Sequence, residues 1–320
     1  MPNAAAEPLI DRFRENIEEL TGSDAVRNAR FGVAVSGGPD SMALLWLTHS
    51  AFPGRTFAAT VDHGLRAEAR SEAEMVAGWC MAQGTDHSIL TLDAPITGNI
   101  QSEARHARYA QLHRWCGDKA IDWLLTAHHA DDQMETMLMR LNRASGVSGL
   151  SGVRARNGII LRPLLQWSRR ELEQVVAAQS LPHIHDPSND DSRFDRVVMR
   201  KHLKGVDWLD PTAFARSAEA LNDAQDALEW MVDQLESEYI GTIDEGHIML
   251  TSHDFPREVL RRLLLRMLAL ADPAFVPPRG ATLERALGQL LAGEKAMIGD
   301  WLIHGGDSWV LMRAPPRSLV

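Results

Sequence analysis

The chain has 320 residues, which is long enough for two domains of ordinary size. Its net charge of −10 does not favour nucleic-acid binding by overall charge, although local basic clusters can still bind phosphate. The apolar runs are too short or too charged to span a bilayer, residues 1–10 lack the features of a secretory signal, and the two cysteines have no metal-binding spacing. We therefore expect a cytoplasmic protein with no membrane partner.

Helical and extended patterns alternate through the first part of the chain. Helices are predicted for residues 5–20, 41–50, 67–83, 99–116 and from about 131, and strands for residues 30–35, 56–61, 87–92 and 123–126. This alternation predicts an α/β fold, with a parallel sheet covered by helices on both faces. Ligands of such sheets bind beyond the carboxyl ends of the strands. The residues that follow each strand are therefore the candidate site.

The first strand ends in a glycine turn, SGGPDS at residues 36–41, that opens a helix. Adjacent glycines allow close approach of a ligand, and the helix start favours an anion. Asp40 would repel a bare anion, and Mg²⁺ between Asp40 and phosphate groups resolves this conflict. The lysine of a Walker A loop is absent. The residues predicted here to contact phosphate are Ser36, Gly37, Gly38, Pro39, Asp40 and Ser41.

Polar residues also follow the second and third strands. Asp62 and His63 are predicted to face a nucleotide, and Arg66 to reach a phosphate or a carboxylate, although a plain turn also explains this segment. Arg105 and Arg108 are three residues apart and share one helix face, where they could hold phosphates. Surface arginines paired with acids are the alternative.

The segment AHHADDQMET at residues 127–136 is the richest in chemistry, and it runs from a strand end into a helix. Asp132 and Glu135 share a helix face, and Asp132 with Asp40 could hold Mg²⁺ on phosphates. His128 and His129 could donate hydrogen bonds to phosphate. A zinc site is disfavoured, because the two histidines are adjacent and lack the i, i+4 spacing.

A flexible Gly/Ser loop follows at residues 145–152, which is either a lid that closes over a substrate or a simple linker. Two basic clusters come later, and each is either a phosphate-binding stripe or a solvated helix face. The first consists of Arg193, Arg196, Arg200, Lys201 and Lys204, and the second of Arg257, Arg261, Arg262 and Arg266.

The character of the sequence changes after residue 208. We predict one domain at residues 1–208 and a smaller, mostly helical domain at residues 209–320. Its helices are predicted at 213–238, 257–271 and 282–291. A terminal hairpin is predicted from strands at 296–303 and 309–313, which flank the turn sequence HGGD.

Taken in order, these segments resemble the tRNA(Ile)-lysidine synthetase family, which belongs to the N-type ATP pyrophosphatases with a PP-loop. The resemblance covers residues 30–204, and its most discriminating part runs from the HHADDQMET segment to the Gly/Ser loop. Val197 departs from the pattern, since the family commonly has asparagine there. The matching motifs are SGGPDS at 36–41, VDHGLR at 61–66, NIQSEARHARY at 99–109, AHHADDQMET at 127–136, RLNRASGVSGLSG at 140–152, RPLL at 162–165 and DPSN at 186–189.

The resemblance implies a Rossmann-like domain of the adenine-nucleotide alpha-hydrolase type and a ligase that forms a carbon–nitrogen bond. ATP with Mg²⁺ would adenylate the 2-oxygen of the first-anticodon cytidine in a tRNA(Ile) with a CAU anticodon. The ε-amine of free L-lysine would then displace AMP to give lysidine. The C-terminal domain would engage the tRNA, and a homodimer is one arrangement that the sequence allows.

The resemblance also suggests roles for individual residues. Asp132 is the first candidate to accept the proton of the lysine amine, and His129 is the second. The predicted catalytic residues are Asp40, Asp132, His129 and Arg105, and the predicted metal ligands are Asp40 and Asp132. ATP would contact Ser36, Gly37, Gly38, Pro39, Asp40, Ser41, Asp62, His63 and Arg108, and tRNA or lysine would contact Arg66, Glu135, Arg196 and Arg200.

Two other functions are compatible with the loop. A 2-thiocytidine-forming thiolase has a similar loop and fold but typically uses paired cysteines, a spacing that Cys80 and Cys116 lack. A nucleotide-binding module without catalysis would leave the cluster of Asp40, Asp132 and Glu135 unexplained. GMP and NAD synthetases share the loop alone.

Overall fold

A computed structural model describes residues 6–62, 68–91, 100–184, 195–244, 246–278 and 280–315. The chain forms two compact units, Met1–Asn222 and Asp223–Val320. The division falls within helix α10 (Pro211–Tyr239), whereas the boundary predicted from the sequence precedes this helix. The first unit contains the helices α1 (Glu7–Thr21), α2 (Ser23–Val26), α3 (Pro39–Ala51), α4 (Glu68–Gln83), α5 (Ile100–Asp118), α6 (Ala130–Leu141), α7 (Val147–Leu150), α8 (Arg169–Ala178) and α9 (Asp195–Leu203).

A six-stranded sheet forms the centre of the first unit, in the order β3-β2-β1-β4-β6-β5. The strands β1 to β4 and β6 pair in parallel, and the short edge strand β5 is antiparallel to β6. The strands are β1 (Phe31–Ala34), β2 (Thr56–Asp62), β3 (Asp86–Thr91), β4 (Trp123–Leu125), β5 (Arg156–Asn157) and β6 (Ile160–Leu161).

Neighbouring residues of the strands face opposite sides of this sheet. Phe31 and Leu125 belong to one core, with apolar residues of α1, α3, α4 and α8. Leu124 belongs to a second core, with Trp115 of α5. Because successive side chains of a strand point to opposite faces, the helices cover both sides of the sheet, which confirms the predicted fold class. Gly32 lies against the Trp115 ring, where a Cβ atom would come within 2.6 Å of the ring.

The helix α3 is enclosed over most of its length. All eight residues from Ser41 to Thr48 are buried, and the helix packs against α1 and α8. A helix that is apolar on all sides is typical of a layer covered by further helices. The amphipathic helix α1 supplies part of that cover, with Ile10, Phe13 and Ile17 on its buried face. The glycine turn before α3 is thus attached to a rigid element.

The second unit contains an antiparallel five-stranded sheet in the order β7-β8-β11-β10-β9. The predicted strand 296–303 is two strands, because a turn at Gly299, with φ of +60°, separates β9 from β10. No helix of the described residues is long and apolar enough to cross a membrane. The elements are β7 (Ile240–Asp244), β8 (His247–Leu250), α11 (Arg257–Ala271), α12 (Gly280–Leu291), β9 (Lys295–Ile298), β10 (Trp301–His304) and β11 (Trp309–Arg313).

Candidate active site

The strand order reverses between β1 and β4, because β2 and β3 lie on one side of β1 while β4 and β6 lie on the other. Loops leave such a switch point in opposite directions and open a crevice at the carboxyl ends of the strands. The SGGPDS loop follows β1, and the histidine pair follows β4. The two motifs that the sequence singled out therefore border one crevice. Asp62 ends β2, the next strand along, and is half-buried.

The backbone of the SGGPDS loop is held by its own serines. Ser41 Oγ accepts a hydrogen bond from Ser36 N at 3.1 Å and donates one to Gly38 O at 2.9 Å. Gly37 has φ of +81°, which favours glycine, and its carbonyl accepts from Ile184 N at 2.9 Å. The turn is therefore fixed before any ligand binds.

Gly38 is the N-cap of α3, and its φ of −72° is open to any residue. A Cβ atom there would meet only Ser36 Oγ, at 3.6 Å, so the described chain leaves space beside this glycine. The first N–H groups of a helix have no intrahelical partner and attract anions. A free space at a helix start fits a phosphate group in close contact with the backbone.

His129 connects this loop to α6. Its Nε2 atom lies 3.5 Å from Asp40 Oδ2 and 3.6 Å from Asp132 Oδ2, and its Nδ1 atom lies 3.5 Å from Asp131 Oδ2. Burial alone lowers the pKa of His129, but the contacts with Asp131, Asp40 and Asp132 outweigh it and raise the pKa to about 10. One buried imidazole thus gathers three carboxylates at the switch point.

The three carboxylates differ in their other contacts. Asp131 accepts a hydrogen bond from Arg169 N at 2.8 Å, so it also fixes the start of α8. Asp132 Oδ2 accepts from His129 N at 3.2 Å, which closes the first turn of α6. Asp40 Oδ1 is buried and has no hydrogen-bond partner among the described residues. Since a buried polar atom without a partner is costly, Asp40 is the carboxylate that a ligand would complete.

The donor set fits Mg²⁺. This ion takes one or two carboxylates together with phosphate oxygens and water, and Asp40 and Asp132 flank the same imidazole nitrogen. Among the described residues, no group of three or more His, Cys, Asp or Glu is arranged as a metal site. Two carboxylates would leave the other coordination positions of the ion to the phosphates of a nucleotide and to water.

Glu135 lies one turn further along α6 and is buried. Arg200 of α9 donates to both of its carboxylate oxygens, at 2.7 and 3.0 Å, and Arg196 Nε lies 3.4 Å from Oε2. Arg196 also donates to Thr136 Oγ1 at 2.7 Å. The predicted substrate residues Glu135, Arg196 and Arg200 therefore come together and bind one another, which attaches α9 to α6.

A second group of arginines lies around Tyr109 of α5. The guanidinium carbons of Arg105 and Arg108 are 5.1 and 5.7 Å from the centre of the Tyr109 ring. Arg162, which follows β6, is 5% exposed and lies beside the same tyrosine. The sequence placed Arg105 and Arg108 on one helix face but assigned no role to Arg162. Arg162 directly follows an apolar strand, and this position could have identified it as a candidate site residue.

The Gly/Ser loop is attached to the fold at several points. Gln133 forms two hydrogen bonds with the backbone of Val153, at 2.7 and 2.8 Å. Arg140 donates to the carbonyls of Gly149 and Gly152, and Asn222 donates to Ser151 O. These contacts hold the loop in the described conformation, which the sequence had left open between a lid and a linker.

The C-terminal arginine cluster is not a free cationic stripe. Arg262 is 4% exposed and pairs with Glu258 and Glu229, and Arg266 pairs with Glu229 and Asp233. Arg257 pairs with Glu284 and Arg261 with Glu258. Acids from α10, α11 and α12 pair with these arginines, which disfavours the alternative of a phosphate-binding stripe for this cluster.

Several predicted residues lie outside the described part of the chain. These are His63, Arg66, Asn99, the DPSN motif at 186–189 and Arg193.

The chain is similar to known proteins along most of its length. The model of the PP-loop domain family matches residues 9–206. The chain is 38% identical over 322 residues to tRNA(Ile)-lysidine synthase from Zymomonas mobilis, covering 97% of this chain and 96% of that one. It is 41% identical over 314 residues to the protein of that name from Novosphingobium aromaticivorans, covering 95% and 93%.

A solved structure extends the comparison to the fold. The U34-tRNA thiolase NcsA from Methanococcus maripaludis, solved with its [4Fe-4S] cluster, superposes with a TM-score of 0.53 at 17% identity. The superposition covers 67% of this chain and 80% of that one. At this identity the likeness concerns the fold alone.

Proposed function

Because the chain belongs to the tRNA(Ile)-lysidine synthase family, we propose that it joins lysine to the first-anticodon cytidine of a tRNA(Ile) with a CAU anticodon. The cytidine 2-oxygen attacks the α-phosphorus of ATP, and pyrophosphate leaves. The ε-amine of free L-lysine then attacks carbon 2, the bond from carbon 2 to oxygen breaks, and AMP leaves. Adenylation is needed because the unmodified ring oxygen is a poor leaving group.

The carboxylate oxygen of Asp40 that has no hydrogen-bond partner among the described residues carries this proposal. It lies beside the start of α3, where the SGGPDS loop would hold the phosphates that become pyrophosphate. Asp40 and Asp132 would hold Mg²⁺, which would offset phosphate charge. For the second step, we propose Asp132 as the group that accepts the proton of the lysine amine. His129 is the weaker candidate, because its pKa, raised to about 10, keeps the imidazole protonated at neutral pH, where it would orient Asp40 and Asp132.

The remaining reactants and the location belong to the same proposal. Lysine is the nucleophile, and a cytoplasmic location follows from a tRNA substrate. The homodimer stays a prediction from the sequence, and light scattering on the purified chain would test it.

The direct test is incorporation of radiolabelled lysine into this tRNA(Ile) in the presence of ATP and magnesium. We expect incorporation that requires ATP and that disappears when the first-anticodon cytidine is replaced by uridine. Incorporation into the uridine tRNA, or none into either tRNA, would contradict the proposed reaction.

The positions of the cysteines do not favour the thiolase alternative. Cys80 and Cys116 are both buried, and they belong to cores on opposite faces of the sheet. Burial raises the pKa of each thiol to about 12, which disfavours the reactive thiolate. Two thiols separated by the sheet do not make the paired site that such chemistry typically uses.

A further inference from the structure

Arg162 is a buried cation with no carboxylate in contact among the described residues. Its Nη1 atom donates to Arg154 O at 2.6 Å, and its Nε atom is buried with no hydrogen-bond partner among the described residues. Burial lowers the pKa of Arg162, the neighbouring Tyr109 hydroxyl opposes this shift, and Arg105 adds to it. Buried charges are normally paired, so the chain maintains a cation here whose counter-ion is not among its described side chains.

The surroundings of Arg162 have the chemistry of an anion site. Tyr109 Oη is also buried without a hydrogen-bond partner among the described residues. Arg105 is exposed and Arg108 is half-buried, so both can reach a ligand from the Tyr109 ring. Burial, followed by the charges of Arg162, Arg105 and Arg108, holds the pKa of His128 near 4, while Asp132 acts in the opposite direction. Three guanidinium groups therefore share one small region.

We propose that Arg105, Arg108 and Arg162 form a second phosphate-binding site, which takes a backbone phosphate of the RNA substrate. Arg162 is the fixed, buried charge, and Arg105 and Arg108 are the accessible contacts. Guanidinium groups match phosphate oxygens through paired N–H donors. The choice of RNA rests on the proposed function, whereas the phosphate chemistry rests on the cluster itself.

The position of the cluster favours RNA over ATP as the source of the phosphate. Arg162 follows β6 and the SGGPDS loop follows β1, with β4 between them. Two strand spacings correspond to about 10 Å at the sheet edge. If the β- and γ-phosphates of ATP lie in the SGGPDS loop, this separation leaves the second site free for a phosphate of another molecule.

Binding of a fluorescently labelled anticodon stem-loop of tRNA(Ile) tests this site without any turnover. The variants are Arg108→Met and Arg162→Met, and Arg162→Lys serves if Arg162→Met does not fold. Arg156→Met is the matched control, because Arg156 lies on the neighbouring strand β5, where it covers the Trp123 ring and donates to Leu20 O. ATP binding is measured in parallel for every variant.

We expect each methionine variant to bind the stem-loop about tenfold more weakly at low salt. Arg162→Met should leave ATP affinity unchanged, because Arg162 is not among the predicted ATP contacts. For Arg108→Met, an unchanged ATP affinity would move this residue from the predicted ATP contacts to the RNA. For Arg108→Met, the slope of log affinity against log salt should fall by about 0.7, the value for one lost phosphate contact on a single strand. Arg162→Lys should retain most of the affinity, and Arg156→Met should behave like the parent protein.

Stem-loop affinity within twofold of the parent for both methionine variants would overturn the proposed site. A loss of ATP affinity with RNA affinity unchanged would overturn the assignment to RNA and give the phosphate to ATP. Binding as expected without lysine incorporation would refute the proposed reaction while leaving the phosphate site in place.

Discussion

Arg200 of α9 holds the buried carboxylate of Glu135 on α6 with two hydrogen bonds, Nε to Oε1 at 2.7 Å and Nη2 to Oε2 at 3.0 Å. The same guanidinium lies 3.9 Å from Asp132 Oδ1. One arginine thus links the position of α9 to a carboxylate of the candidate active site. The hydrogen bonds with Glu135 are the main cause that raises the pKa of Arg200, so the pair stabilises the protonated guanidinium.

Glu135→Gln tests whether this pair is mainly structural. We expect a loss of about 2 kcal/mol in the free energy of unfolding, because Arg196 and Arg200 lose a buried counter-charge while Arg200 keeps some solvent. Urea denaturation measures the loss, and hydrogen exchange should increase first in α9. Arg143→Met, which removes the exposed Arg143–Asp195 pair, is the control and should cost at most about 1 kcal/mol. A raised KM for lysine with unchanged stability would instead indicate a substrate contact.

The two glycines of the SGGPDS loop should respond differently to alanine. Gly37→Ala places a side chain at φ of +81° and should cost about 1–2 kcal/mol of stability. Gly38→Ala meets no strain and should change stability by at most about 0.5 kcal/mol, yet it should weaken ATP binding by filling the space beside the helix start. Thermal unfolding and ATP titration on both variants separate the effects. If Gly38→Ala kept full ATP affinity, this result would contradict the proposal that a phosphate of ATP lies beside Gly38.

Asp40→Asn and Asp132→Asn should abolish adenylation. Each removes a charge that would hold Mg²⁺ on the phosphates, and we expect tRNA-dependent pyrophosphate release to fall at least about a hundredfold. The fold and tRNA affinity should be largely retained, because asparagine keeps the shape of each side chain. Circular dichroism and stem-loop binding provide the controls. Unchanged pyrophosphate release in either variant would exclude that residue from the mechanism.

The stability that the ion pairs of α11 contribute should decrease at acidic pH. Hydrogen bonds from Arg261, followed by those from Arg262, lower the pKa of Glu258 below its usual 4.5 against the opposing effect of burial. The stability that Glu258 supplies is therefore fully present above pH 4.5 and is lost as the pH falls through the lowered folded-state value. The stability difference between the parent and Glu258→Gln should be constant at neutral pH and shrink below pH 4.5. Urea denaturation across this range measures it, and a difference independent of pH would contradict the assignment.

Local patterns were sufficient for most of the fold. The helix predicted at 257–271 coincides with α11. The strands predicted at 30–35, 56–61, 87–92 and 123–126 overlap β1, β2, β3 and β4. The short strands were harder: β9 and β10 were predicted as one strand, although Gly299 and Asp300 between them are a two-residue hairpin signal. The hairpin of β7 and β8 was not predicted.

The sequence by itself determined the phosphate-binding motif, because a glycine turn between a strand and a helix acts through its own backbone and the adjacent helix start. It also determined the two-faced sheet, since strands that alternate with helices along the chain form a parallel sheet with helices on both faces. Only the tertiary structure decided which charges find partners. Glu135 pairs with Arg200, which is 65 residues away in the sequence, and Arg262 pairs with Glu229, which is 33 residues away. Arg162, in contrast, is buried with no acid in contact among the described residues. Ion pairing depends on distance in space, and local sequence patterns do not encode how separate helices pack.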